Sequence, residues 1–360
     1  LLGLFRIHLA LLQAILERCP IRSLTIDIDA SIIESHKDEA LPHYDGGRGY
    51  QPWIAYCPEL RLILRDQFRD GNVPAAMGVK NQVRRAVLAL PSGDFSIKLR
   101  GDTALYCPDA LRWMDERNIT FGISAKMSTE LRATADKAEP KSWERLVKLT
   151  EFGPVPTDLE IAEVEFVSNG MASNKKSRPF RFIVARRVEG QGNLFGKPKE
   201  VYDEQGHRWY LAVVSNNWAD CPRDVWNWAR ERCGTVERAH DELKNDLAAG
   251  VMPCGRFHSN AAWFRFNVLT FNLLSAMKLL ALPKSMEAWR PATIRFRLLN
   301  LAGRIIHSGR SLTLRLPWIR DLFDIFRSGR ERLRRPQPPR HAPVRNRPTA
   351  ATLRPAPAAA

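Results

Sequence analysis

Paired cysteines are missing from this sequence. Its six cysteines, Cys19, Cys57, Cys107, Cys221, Cys233 and Cys254, are scattered, with no CxxC and no Cys/His ligand spacing. That argues against a disulfide frame and a zinc site, and it reads as reduced thiols in a cytoplasmic protein. A secretion signal is missing as well. The apolar opening LLGLFRIHLALLQAIL carries Arg6, His8 and Gln13 and fits a buried or amphipathic helix better. The most apolar later stretch, AAWFRFNVLTFNLLSAMKLLAL (261–282), holds Arg265, Asn267, Asn272 and Lys278, so a core helix is expected and no membrane association. The glycines of GGRG have no Walker or dinucleotide surroundings, which excludes a phosphate loop of those kinds. No internal repeat is present. The chain starts at Leu1 instead of Met, and the expectation is that N-terminal sequence is missing.

Acid is the scarcer charge. Against 55 Lys and Arg stand 39 Asp and Glu, a formal net charge of +16 over 360 residues with pI near 9.9. That excess is far for an enzyme of neutral substrates and selects a polyanionic partner, most simply nucleic acid. At 44% hydrophobic the chain can bury a sizeable core as one large domain with an insertion or as two domains.

The stretch SLTIDIDASIIES (23–35) alternates with the period of a strand. Leu24, Ile26 and Ile28 share one face; Thr25, Asp27 and Asp29 share the other. Two adjacent carboxylates on one face repel unless something neutralises them. An edge strand with one wet face tolerates this; a central strand ending in a metal site requires it. Both readings stand on this stretch alone. Downstream, WIAYCPELRLILRDQF predicts two more strands, 73–90 a helix ending at Pro91, FSIKLRGD a strand, 108–118 a helix and ITFGIS a strand. Three strands, helix, strand, helix, strand is a mixed α/β sheet of the ribonuclease-H kind, though other α/β folds share the pattern.

Residues 140–216 turn β-rich and basic, with Lys175, Lys176, Arg178, Arg181, Arg186 and Arg187. Helices return at Pro222. Gly234 is expected to end one helix and Thr235 to cap the next, TVERAHDELKND. On that helix Val236, Ala239, Leu243 and Leu247 mark the core face. Glu237 and Lys244 share another face with Asp241, and Arg238, Glu242 and Asp246 read as an exposed ion-paired stripe. Glu237 is the first candidate for an acid facing a site, Asp241 the second. Asp29 (with Asp27) from a first strand, Asp102 after a later strand and Glu237 from a late helix would make an oxygen cage for two divalent ions; spacing permits this without establishing it.

The segments LTIDIDAS, GRGYQP, FRDGN, KLRGDTALY and VERAHDELKND…MPCGRF…NAAWFRFNVLTFNLL, in this order, resemble bacterial insertion-sequence transposases of the DDE class, in the group with a β insertion between the second and third acids (transposase DDE domain, group one). The resemblance runs over roughly residues 20–320. It implies an RNase H-like mixed sheet flanked by helices, with the catalytic acids Asp29, Asp102 and Glu237. Those three and Asp27 would bind two Mg²⁺ ions, Mn²⁺ substituting. It implies DNA contacts from Lys244, Arg232, Arg100 and Arg48, with Lys175 and Lys176 of the insertion adding phosphate contacts. The family's Arg four residues before the glutamate falls on Cys233, so Arg232 is expected to stand in.

The implied reaction is metal-dependent cleavage at an element's ends, then attack of the freed 3′-OH on target DNA. The implied partners are terminal inverted repeats and target DNA, engaged by a homodimer, in a bacterial cytoplasmic, nucleoid-associated setting. The competing readings are an RNase H-like nuclease without strand transfer and an inactive truncated remnant that only binds DNA. The expected layout is a remnant of an N-terminal helical region (1–20), the first part of the core (21–139), the β insertion (140–216), the second part of the core with C-terminal helices (217–328) and a disordered basic tail (329–360). With so little before the first strand, weak binding of specific ends is expected.

Overall fold

A computed structural model describes residues 2–19, 21–90, 95–150, 153–168, 179–189, 199–202, 206, 208–317 and 319–334. Its spine is a ten-stranded sheet. In chain order the strands are β1 (Ser23–Ala30), β2 (Trp53–Cys57), β3 (Leu62–Gln67), β4 (Ser96–Gly101), β5 (Thr120–Ala125), β6 (Glu144–Thr150), β7 (Gly153–Val164), β8 (Arg181–Glu189), β9 (Lys199–Glu200) and β10 (Tyr210–Ser215). The spatial order is β3-β2-β1-β4-β5-β10-β8-β7-β6, with β9 against β8. β1 runs antiparallel to β2 and parallel to β4, and β4 is parallel to β5. Five strands in that order and sense are the RNase H-like arrangement. The β insertion forms no separate module: β10 pairs antiparallel with β5, so the insertion extends the core sheet.

β1 is a central strand, which removes the wet-edge reading of its two aspartates. Leu24, Ile26 and Ile28 are buried on one face among α1 (Leu2–Leu16), α2 (Val79–Leu88) and α3 (Pro108–Asp115). On the other face lie Thr25 and Asp27, also buried. α2 begins at Val79, later than the spacing from residue 73 predicts, because Gly78 takes a left-handed conformation that starts the helix. α4 (Thr129–Asp136), which the sequence reading did not pick out, starts on a Ser128 cap, whose hydroxyl accepts from Leu131 N at 3.2 Å.

Helices of the second part lie over the site face. They are α5 (Pro222–Arg230), α6 (Val236–Asp241) continued by a π-helical turn (Glu242–Asp246), and α7 (Phe257–Leu280). Gly122 of β5 lets α5 approach closely: a Cβ there would lie 2.8 Å from the Trp228 ring. α7 carries polar residues for a structural reason. Asn272 accepts from Ile63 N and donates to Ile63 O, both at 2.8 Å, which pairs the edge strand β3 with a side chain. Arg265 is paired with buried Asp66 at 2.7 Å. No helix among the described residues is long and apolar enough to cross a membrane.

The GRGYQP and FRDGN motifs brace the loop beyond β1. Ile33–Glu34, Leu41–Pro42 and Arg48–Tyr50 form a small sheet, and Gly71 N donates to Gly49 O at 3.0 Å. A Cβ on Gly49 would fall 2.1 Å from the Ile33 carbonyl. At the C-terminal end the structure differs from expectation twice. Arg304–Ser308 and Ser311–Arg315 form a hairpin, and a helix runs Arg320–Arg334. Residues 329–334, expected to open a disordered tail, are therefore helical; 335–360 lie outside the described residues.

Candidate active site

One register builds the site. The parallel ladder between β1 and β4 pairs Thr25 with Lys98, Asp27 with Arg100 and Ile28 with Gly101. Partners in such a ladder project to the same side of the sheet. Asp27 thus receives Arg100, 73 residues away, in a buried two-pronged ion pair: Nε–Oδ1 at 2.7 Å and Nη2–Oδ2 at 2.9 Å. Continued one residue past its last pair, the same register sets Asp102 beside Asp29. Gly101 makes that turn possible, since a Cβ there would lie 2.5 Å from Leu105. Asp102 then caps the short turn Thr103–Leu105, accepting from Ala104 N at 3.0 Å.

The third acid comes from α6. Val236, Ala239 and Leu243 pack on Ile54, Tyr56 and Ile63, as their spacing predicts. Glu237 lies at the opening of the helix, and its Oε2 accepts from Gly234 N at 2.7 Å. Gly234 ends the preceding segment with φ +94°, as expected for a helix terminator. Thr235 does not cap the helix with its side chain; its hydroxyl donates to Asp27 Oδ2 at 2.7 Å. The Arg232 guanidinium sits between the acids, 3.2 Å from Asp29 Oδ1 and 3.6 Å from Glu237 Oε1. Asp241 points elsewhere, to Arg290 at 2.6 Å, so Glu237 is the acid of this helix that reaches the strand ends. Glu242 is buried against Arg238 at 2.8 Å and Asp246 holds Arg290 at 3.0 Å, so the stripe read as exposed is partly a packing seam.

Electrostatics mark Asp29 as the strained member. Its carboxyl is pushed up to about 7, first by burial and then by Asp102 and Glu237, against the pull of Arg232. Arg232 is held more firmly charged: burial opposes it, but Asp29, Glu237 and Asp102 outweigh burial. His240, which sequence reasoning missed, is buried with Nε2 3.7 Å from Asp29 Oδ2. Burial, with Lys244 and Arg232 nearby, brings it down to about 3, so it is neutral. Nothing in the helical spacing of α6 distinguishes His240 from an ordinary core position.

The other expected residues divide clearly. Asp27, expected as a further metal ligand, is fully buried and has both oxygens engaged by Arg100 and Thr235; it neutralises a core arginine. Arg100, expected on DNA, is buried and also bonds Trp228 O and Glu231. Lys244 is half-buried and donates to Ser31 Oγ and Ile32 O, both at 2.6 Å, tying the π turn to the loop after β1. Arg48 is exposed and braces the Ala40 carbonyl at 2.7 Å. Arg181, Arg186 and Arg187 of the insertion pair with Glu163, Glu160 and Asp158. Lys175 and Lys176 lie outside the described residues.

The donor chemistry suits a divalent cation. Three carboxylates face one guanidinium, an excess of negative oxygen with a cationic group already lodged in it. Among the described residues no three His, Cys, Asp or Glu converge closely enough to hold an ion as they stand. Arg232 lies in the space between Asp29 and Glu237.

A family model described as transposase DDE domain group 1 matches residues 4–338. The chain belongs to that family. No curated protein matches it in sequence. Among solved structures it is similar to a piggyBac transposase in a synaptic complex with hairpin DNA, at 10% identity and a TM-score of 0.42. The similarity covers 89% of this chain and 56% of that one, so the chain spans little more than half of that protein's length.

The raised Asp29 carboxyl sets a pH dependence. The folded form holds this proton up to about 7, whereas the unfolded chain releases it near the ordinary value of 3.8. The folded state therefore binds more protons between those values, and stability falls as pH rises through that window. In EDTA, the melting temperature of the wild type is expected to drop from pH 5 to pH 8 more steeply than that of Asp29→Asn. Parallel curves for the two proteins, by calorimetry, would remove Asp29 as the cause.

Proposed function

We propose that this transposase-family chain cleaves DNA strands at element ends and joins the freed 3′-OH to target DNA, with Asp29, Asp102 and Glu237 holding divalent metal, Mg²⁺ or Mn²⁺. The observation that carries the reading is the β1–β4 register. It spends Arg100 on Asp27 and leaves Asp29 facing Asp102 without a partner from the same ladder. A fold needs no two carboxylates meeting at the end of its central strands; a metal site does.

Bound metal supplies charge stabilisation for an in-line displacement at phosphorus. The chain's own residues do the positioning. Glu237 is fixed by Gly234 N, Asp102 by the turn it caps, and Lys244 holds the loop after β1 at the same strand ends. Arg232, once displaced from the acids, is placed to meet a strand phosphate with a planar fork of donors. DNA as partner agrees with the net charge of +16.

The test is product analysis with duplexes bearing candidate element ends, supercoiled target and Mn²⁺. Joined molecules support the reading. Cleavage without joining selects the nuclease reading. Duplex binding with neither product, at any divalent concentration, selects the inactive remnant.

A further inference from the structure

A polar cavity lies beside the acids. It measures about 250 Å³ and opens between β2, the turn after it, α6 and α7. That is below the range of pockets for drug-sized ligands. Tyr56, which lines it, is the register partner of Asp27 on β1, so the cavity is on the same face of the sheet as the acids. Thr235, whose hydroxyl bonds Asp27, forms the wall between them.

Three cations line the cavity, and their partners leave one charge over. Arg238 pairs with Glu242 at 2.8 Å and Arg61 with Glu287 at 3.3 Å. Lys278 has no carboxylate within ion-pair distance among the described residues; its Nζ bonds the Trp289 carbonyl at 3.2 Å, although the residue is only 8% exposed. Burial pulls the Lys278 ammonium below its usual range, with Glu242 opposing that. A buried ammonium with donors unspent favours an anion beside it.

The three cations are also held in place. Arg61 donates to the carbonyl of Glu287, Arg238 to that of Ala288 at 3.0 Å and Lys278 to that of Trp289. Three consecutive carbonyls thus fix three positive groups around one space. Arg61 adopts φ +53°, a left-handed conformation unusual for a residue with a side chain. Glycine would fill that turn without strain.

We propose that this cavity seats a phosphate group of the DNA strand leaving the acid cluster, held by Arg61, Arg238 and Lys278. This rests on the proposed action on DNA and adds a second phosphate position to it. The alternative source of the same chemistry is free inorganic phosphate.

The test uses the full chain, its Arg61→Gly and Lys278→Met variants, a short duplex and inorganic phosphate. Duplex affinity is measured across a range of salt, and the melting temperature with and without phosphate. Loss of one phosphate contact makes the slope of log K against log salt shallower by about 0.9 for each variant. The melting temperature of Arg61→Gly is expected to hold or rise, because glycine relieves the left-handed turn; this keeps the test open even where Lys278→Met folds poorly. A shallower slope supports the proposal. An unchanged slope, with a phosphate-induced melting shift that both variants lose, overturns the DNA source and leaves a free-phosphate site. Wild type binding no duplex, yet shifted by phosphate in a way the variants lose, overturns the action on DNA and keeps the anion site. Variants matching wild type with both ligands overturn the site.

Discussion

Asp29→Asn is expected to lower the rate of divalent-dependent strand cleavage by ~10³-fold or more while leaving duplex affinity within about twofold. A metal contributes several kcal/mol of charge stabilisation to an in-line displacement, and each 1.36 kcal/mol is about tenfold in rate. Asn keeps the size of the side chain and one acceptor oxygen, so packing around β1 survives and the anionic ligand alone is lost. DNA binding is spared because removing an acid from a strongly basic chain takes away no phosphate contact. Asp102→Asn and Glu237→Gln are expected to fall to the same floor, and the double replacement no lower than either single one, since residues acting as a unit are not additive. Single-turnover cleavage of an uncut end in Mn²⁺, beside anisotropy binding of the same duplex, reads both quantities. Cleavage within tenfold of wild type for any of the three would take that acid out of the site.

The second large effect belongs to the other half of the carboxylate pair. Arg100→Met is expected to destabilise the fold by about 3–5 kcal/mol, because it leaves the buried Asp27 carboxylate facing only the Thr235 hydroxyl. Asp27→Asn should cost less, since Arg100 keeps the Trp228 carbonyl and Glu231 as partners. Combining Arg100→Met with Asp27→Leu should recover much of the loss, as apolar replacements of buried ion pairs often do. Urea denaturation of wild type, Arg100→Met, Asp27→Leu and the double replacement closes the cycle and gives the coupling directly. The same variants separate structure from chemistry: Asp27→Asn is expected to keep the wild-type half-saturation for Mn²⁺. A large rise in that value would return Asp27 to the metal.

Much of this site was legible before any folding. Asp29, Asp102 and Glu237 could be named as a possible cage because strand periodicity and helix spacing narrowed the acids to Asp27 or Asp29 and to Glu237 or Asp241, and the family resemblance singled out one of each together with Asp102 in its Arg-x-Asp context. The apolar stripe Val236, Ala239 and Leu243 oriented α6 correctly. The partners of the cations were not legible. Arg100 and Arg232 were expected on DNA by resemblance; a sequence shows their charge and spacing but not the carboxylates they face in the fold. The same holds for Arg181 and Arg186 of the basic insertion, whose glutamate partners sit on a neighbouring strand. Thr235 was expected to serve its own helix and instead serves a strand far away in sequence.

The sequence by itself determined that Asp27 and Asp29 share a face, that the chain is strongly basic, and that it carries the segments of a transposase family. It could not say which aspartate is structural, because alternation fixes the face and not the neighbour. Sliding β4 along β1 by two residues would keep every side chain on its face, yet hand Arg100 to Asp29 or Asp102 to Asp27. Only the tertiary structure chose the register that neutralises one carboxylate and leaves the other exposed to repulsion. That choice rests on contacts between segments far apart in the chain, with Gly101 giving the turn its room and Thr235 closing over Asp27.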